Sequence, residues 1–400
     1  MASRSPTARF SAAAGPLANA RGSVRGHDRK GVVLREGTRP GAAGEFDSRR
    51  YLVSAGLAAR KLDALLVAFS PNLRYLTGFT GSNGCLLIEP GGSILFTDPR
   101  YRIQAAQETA AKLKICKGAL VVDVLAAIAR LRLKRVGYEP ARMTCDLFEA
   151  LKARLPMRAS LVPTPGWIEE LRMVKTPEEI ARIRRSVETN SRAFEQAVAR
   201  VRPGMTEQRL AAELEYRMRR LGAEKPSFET IVAAGARSAL PHAQPTAARL
   251  REGDLVVVDM GAFQDGYASD MTRMLFLGRP GARVKRTYRA VLEAQLAAID
   301  RVRPGVGAAQ VDRAARRVLK GYGLDGAFVH STGHGLGLEI HEPPRIGMRE
   351  KAVLREGMAI TIEPGVYLEG FGGIRIEDTI IVTASGCEML TPTGKELRAI

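Results

Sequence analysis

Asp259 and Asp270 stand eleven residues apart in the segment GDLVVVDMGAFQDGYASDMTRMLF, an apolar setting that is unusual for acids. Leu255 to Asp259 is an apolar strand ending on a carboxylate, Gln264-Asp265-Gly266 is hairpin-turn chemistry, and Tyr267 to Phe276 is the return strand. A turn centred between Gln264 and Asp265 makes Asp259 face Asp270 directly. A turn centred one residue later makes Asp270 face Gly261 and leaves Asp259 diagonal to it on the same face. Either register brings two carboxylates together among Val, Met and Leu, where the pair is costly unless a cation or a shared proton offsets it. Two acids exposed on a hairpin edge are the alternative.

Two more acids have similar surroundings. Glu363 lies in GMAITIEPGVYL and Glu377 in GGIRIEDTIIV, each beside a strand-like apolar run, with the turn-forming EGFGG between them. Of five histidines, His330, His334 and His341 fall within FVHSTGHGLGLEIHEPP, among glycines that let the backbone bend closely around a site. Four carboxylates and one imidazole make a hard, oxygen-rich set able to share two divalent ions. Mn²⁺, Co²⁺ or Fe²⁺ suit it better than Ca²⁺ because a histidine is present, and Zn²⁺ stays open. A two-metal centre activates a bridging water and clamps the oxyanion of a tetrahedral intermediate, so hydrolysis of an amide or ester is the natural chemistry.

Holding these groups in place takes strands and helices that the pattern supplies. RRYLVSAGLAARKLDALLVAF reads as an amphipathic helix running into a buried strand, and helices alternate with strands up to Pro163–Trp167. KTPEEIARIRRSVETNSRAFEQAVARV then opens a long helix with Thr176 as N-cap, Pro177 at the first position and Glu179 three after the cap. VRPG recurs at Val201 and Val302, each time between two helices that strand-rich sequence follows, which suggests a duplicated α/β unit with pseudo-twofold symmetry. The expected organisation is a disordered tail over 1–45, an α/β domain over 46–165 and a duplicated domain over 166–400.

Length and composition agree. The 400 residues, 45% hydrophobic and 26% charged, exceed one ordinary domain and match a globular chain. The net charge of +19 invites a nucleic-acid or acidic-membrane reading. The first fifty residues carry +6 of it, and the rest is spread through helical segments without zinc-finger spacing, an RNP-like aromatic run or a basic heptad region, so a solvated basic surface is expected. No apolar stretch reaches the roughly 18 to 20 residues of a spanning helix. The tail loosely resembles a transit peptide but lacks the apolar core of a secretory signal. Cys85, Cys116, Cys145 and Cys387 lie far apart without CxxC, suggesting neither a disulfide framework nor a thiolate metal site. A soluble, cytoplasmic protein is expected.

From about residue 50 to the C-terminus the sequence resembles the metalloaminopeptidase, prolidase and creatinase superfamily with the "pita-bread" fold, on the Asp pair, GHGLGLEIHE, IEPG and IRIED together. The resemblance implies an α/β protein in which Asp259, Asp270, His334, Glu363 and Glu377 bind two divalent metals, Mn²⁺ before the others. It further implies that His242 lies near the substrate amide, that His341 stabilises the oxyanion and that His330 is an additional active-site histidine. Arg375 would bond a metal-ligand carboxylate, and Glu363 would double as acid/base. NLRYLTGFTGSNGCLLI and LFTDPRY resemble the creatinase-type N-terminal domain of Xaa-Pro aminopeptidases and prolidases, while the filled ligand set argues against creatinase itself. Arg237 stands where many relatives carry Asn, which leaves fine specificity open.

The resulting expectation is a metal-dependent Xaa-Pro aminopeptidase acting on peptides with proline second, with an Xaa-Pro dipeptidase as the alternative. Proline's tertiary amide and fixed ring explain why a dedicated enzyme is useful. A homodimer or higher oligomer is expected, with neither a membrane nor a specific nucleic-acid partner. The rival of another class is a non-catalytic member of the fold whose basic surface binds nucleic acid or a ribosome.

Overall fold

The computed structural model describes residues 42–400. The expected disordered tail falls outside these residues over 1–41; over 42–45 it is replaced by the start of a helix, Ala42–Gly56. That helix also takes Arg49 and Arg50 out of the solvated charge. Both are buried, Arg49 donating to the carbonyl of Tyr75 at 3.0 Å and pairing with Glu179 at 3.0 Å, and Arg50 donating to the carbonyl of Leu76 at 2.8 Å.

The N-terminal part is built on a six-stranded sheet. Ala64–Val67 lies inside it, antiparallel to Gly84–Glu89 and parallel to Arg135–Tyr138. Both faces are covered, and the alternation of side chains along a strand divides one short run between two cores. Leu65 and Val67 join Val53, Leu73 and Leu76 on one face, while Ala64 and Leu66 join Val124, Ile128 and Leu151 on the other.

The remainder repeats the order helix, helix, antiparallel strands. Pro177–Val198 starts on the expected capping box, with Thr176 and Glu179 bonding each other's backbone N–H groups, and packs with Glu207–Arg220 over the strands Ile231–Ala234, Leu255–Met260 and Met271–Phe276. Ala282–Asp300 and Ala308–Gly321 pack over Gly333–Gly335, Ala359–Ile362 and Asp378–Val382.

Leu255–Met260 shows how the two halves meet. Val256, Val258 and Met260 point into the core under the first helix pair. Leu255 and Val257 point the other way, into a core shared with Ile360, Ile362, Ile374, Ile376 and Ile380 of the second half. Asp259 follows on that second face, so the fold aims it at the seam between the halves.

Candidate metal centre

The hairpin fixes the first two acids. Met271 pairs with Met260 and Thr272 with Asp259, so the turn is Asp265-Gly266 and the later of the two possible registers holds. Both turn residues have positive φ, 52° and 82°, which a two-residue turn of this hand requires. Asp259 therefore faces Thr272 and is diagonal to Asp270. Both acids are buried, and neither lies on an exposed edge.

The second half brings the other groups. Gly333–Gly335 places His334, and a Cβ added at Gly333 would sit 1.9 Å from the carbonyl oxygen of Thr361, so only glycine lets the two strands approach here. Glu363 follows Ala359–Ile362, and Glu377 lies between Gly372–Arg375 and Asp378–Val382. Donor atoms of Asp270, His334 and Glu377 all lie within 4.8 Å of one another. His334 Nε2 is 3.5 Å from both Asp270 Oδ2 and Glu363 Oε1. Arg375 Nη2 donates to Asp259 Oδ2 at 2.5 Å, its Nε donates to Thr272 Oγ1 at 3.1 Å, and Thr272 Oγ1 donates to Glu377 Oε2 at 2.7 Å.

The protein groups by themselves crowd like charge here. Burial raises Asp270 and Glu377 well above the usual carboxylate range, and the neighbouring acids raise them further. Burial likewise lifts Glu363 to about 7 against the opposing pull of Arg375, and it lowers His334 to about 4. Asp259 Oδ1 and Asp270 Oδ1 are buried without a hydrogen-bond partner. Buried carboxylate oxygens without hydrogen-bond partners beside an uncharged imidazole form a hard donor set of oxygens with one nitrogen, which fits divalent metal ions. His334 Nδ1 lies 3.0 Å from the carbonyl of Gly335, which assigns the proton to Nδ1 and leaves the Nε2 lone pair facing the acids.

The other expected residues surround this cluster. The His341 ring stands edge-on to His334, centroids 4.4 Å apart, and burial and then His242 lower its pKa. His330 Nδ1 is 2.8 Å from the carbonyl of Ser331 and its Nε2 is 2.9 Å from the Tyr367 hydroxyl, to which Arg375 Nη1 also donates at 2.6 Å. Tyr367 O–H therefore donates to His330 Nε2 and accepts from Arg375, and His330 is neutral, lowered by burial to about 4. His242 is an exposed wall residue of the same cavity.

Arg237 turns away from the cavity. Its Nε lies 3.2 Å from both carboxylate oxygens of Glu207, and its Nη2 donates to the carbonyl of Gln244 at 2.8 Å. Fully buried Glu207 also accepts from Ala234 N, Thr246 N and Thr246 Oγ1, closing the loop that carries His242 and Gln244. Glu207, Thr272 and Tyr367 were not among the expected site residues. Thr272 had a signal, since two residues after Asp270 in a strand is the same face; Glu207 had none beyond its place in the first turn of a helix.

Two segments match known families: residues 181–384 match metallopeptidase family M24, and residues 49–174 match the creatinase/prolidase N-terminal domain. An Xaa-Pro dipeptidase of Pyrococcus horikoshii is 38% identical over 336 residues, 84% of this chain and 94% of that one. Among solved structures, an Xaa-Pro dipeptidase from Bacillus anthracis superposes with a TM-score of 0.86 at 36% identity, covering 89% of this chain and 100% of that one. An X-Pro aminopeptidase from Thermotoga maritima gives 0.82 at 36% identity, covering 88% and 100%.

Proposed function

We propose that this chain, which belongs to metallopeptidase family M24, is an Xaa-Pro dipeptidase. The observation that carries the reading is Arg345. It pairs with His334 across the antiparallel strands Gly333–Gly335 and Glu342–Ile346, lines the same cavity, and makes no side-chain hydrogen bond or ion pair among the described residues. A free guanidinium one strand away from the carboxylate cluster suits the C-terminal carboxylate of a two-residue substrate, because the planar fork matches a carboxylate bidentately. The dipeptidases among the relatives support it.

Asp259, Asp270, His334, Glu363 and Glu377 would hold the divalent ions, Mn²⁺ being the expected occupant and Co²⁺, Fe²⁺ or Zn²⁺ the alternatives. Bound there, the ions supply a water acidic enough to attack at neutral pH and polarise the scissile carbonyl. Glu363 can take the proton released in the attack and pass it to the proline nitrogen as the C–N bond breaks. Neutral His341 can donate an N–H to the carbonyl oxygen as its charge grows. His242, on the loop braced by Glu207, lines the cavity and would lie near the substrate amide.

A second reading, the Xaa-Pro aminopeptidase, has its own support. The Thermotoga likeness is as strong in identity, and the hollow bounded by Arg345 continues past His330 toward Val329 and Met348, where a longer peptide would find room. One experiment tests both. Stripping metal with a chelator, adding back Mn²⁺, Co²⁺ or Zn²⁺ separately and assaying Leu-Pro against Leu-Pro-Gly should give metal-restored hydrolysis of the dipeptide alone. Faster cleavage of the tripeptide would replace the dipeptidase with the aminopeptidase, and turnover retained by Asp270→Asn or Glu363→Gln would remove the metallopeptidase assignment of these residues.

A further inference from the structure

The cavity wall carries two charged side chains that neither the metal-ligand cluster nor the fold employs. Arg345 is one, and Glu229 is the other: it is exposed, and among the described residues it makes no hydrogen bond or ion pair through its side chain. The remaining acids there are engaged, Glu342 with Arg172 and Lys175, and Glu350 with the N–H groups of Lys351 and Ala352.

These two free charges differ in the neighbouring hollows they adjoin. The hollow that adjoins the Arg345 end shares His330, Ser331, Arg345 and Glu350 with the cavity, and Glu229 has no part in it. A different hollow, between the catalytic part and the N-terminal domain, meets the cavity at Ile340 and includes Ser227, two residues before Glu229. With a proline carboxylate on Arg345 and the scissile bond over the central acids, the side chain of the preceding residue extends toward Glu229. Half-buried Phe228 and buried Ile231 line the same stretch of wall, giving an apolar surface that leads to a carboxylate. Such a surface fits the long methylene stem and cationic head of lysine or arginine, which bury the one and solvate or pair the other.

We propose that Glu229 is a specificity-determining residue that favours Lys or Arg immediately before proline. The proposal rests on the Xaa-Pro dipeptidase reading and adds the class of the first residue to it. An exposed carboxylate turned from attraction to repulsion between a lysine and a glutamate substrate should separate the two by roughly threefold to tenfold.

The test compares kcat/KM for Lys-Pro, Leu-Pro and Glu-Pro in the Mn²⁺-loaded full chain and in Glu229→Gln and Glu229→Lys. The expected order is Lys-Pro over Leu-Pro over Glu-Pro, with the Lys-Pro to Glu-Pro ratio collapsing toward one in Glu229→Gln and inverting in Glu229→Lys. The wild-type ratio should also shrink as ionic strength rises, a readout that needs no variant to fold. Hydrolysis of Leu-Pro with a ratio that neither substitution nor salt alters would overturn the role of Glu229 and leave the dipeptidase reading standing. Absence of hydrolysis of all three dipeptides would overturn both.

Discussion

Arg375 and Tyr367 are joined by a 2.6 Å hydrogen bond that runs from the guanidinium to the phenol oxygen, and this bond orders the whole rim of the site. It sets the phenol proton toward His330, while the opposite arm of the same guanidinium grips Asp259 and its Nε supports Thr272, the residue that in turn holds Glu377. One side chain thus orients a carboxylate from each half of the catalytic domain.

Replacing Arg375 with glutamine should lower both metal affinity and kcat by about 10- to 100-fold, the usual consequence of losing a partner that orients ligands. Metal content by atomic absorption after dialysis, measured beside turnover, checks this. Undiminished metal retention with unchanged kcat would show that Arg375 does not support the site.

Glu342 predicts an acid-sensitive term in stability. Burial alone would push its carboxyl up, but Lys175 at 3.0 Å and Arg172 at 2.5 Å outweigh that and hold it at about 2, down from an ordinary 4.5. A lowered pKa stabilises the fold above the ordinary value, and that contribution is lost as pH falls from about 4.5 toward 2. Glu342→Gln leaves two buried cations short of a partner and should cost about 3–5 kcal/mol at neutral pH. Urea unfolding of both proteins across that range should show the gap closing as pH falls; a constant gap would contradict the pairing.

The brace under the His242 loop makes a graded prediction. Glu207→Gln keeps the shape but weakens a fully buried acceptor of several N–H and O–H groups, so it should destabilise by roughly 2 kcal/mol and depress kcat/KM for dipeptides. Arg237→Asn removes only a partly exposed donor and should cost less than about 1 kcal/mol, leaving Glu207 its three other donors. Thermal melts with parallel assays separate the two; equal losses would mean that Arg237, and not Glu207, fixes the loop.

What could be read in the chain and what could not divide along physical lines. The capping box at Thr176 and Glu179 was visible because both partners lie within one helical turn. The Asp259–Asp270 hairpin was visible to within one residue of register, and the Asp265-Gly266 turn decides the rest, because positive φ at both positions suits only those residues there. Arg49 and Arg50 read as part of the basic charge of the first fifty residues because charge in a sequence carries no sign of burial, and their partners Glu179, Tyr75 and Leu76 lie far along the chain. Tyr367, Glu207, Glu229 and Arg345 carry no mark in the sequence for the same reason. Each acquires its meaning from a contact, or from the lack of one, between segments whose spacing encodes nothing.

The Leu255–Met260 strand sends Asp259 across the seam between the two halves, and His334, Glu363 and Glu377 come back from the other side. During synthesis the hairpin with its two acids emerges well before the residues that complete the set. Until the second half folds onto the first, no nascent chain can hold a cation in this arrangement. Loading of the proposed set would therefore be a late event that reports correct docking, and depletion in the finished protein should loosen the strands of both sheets together, as amide exchange would register.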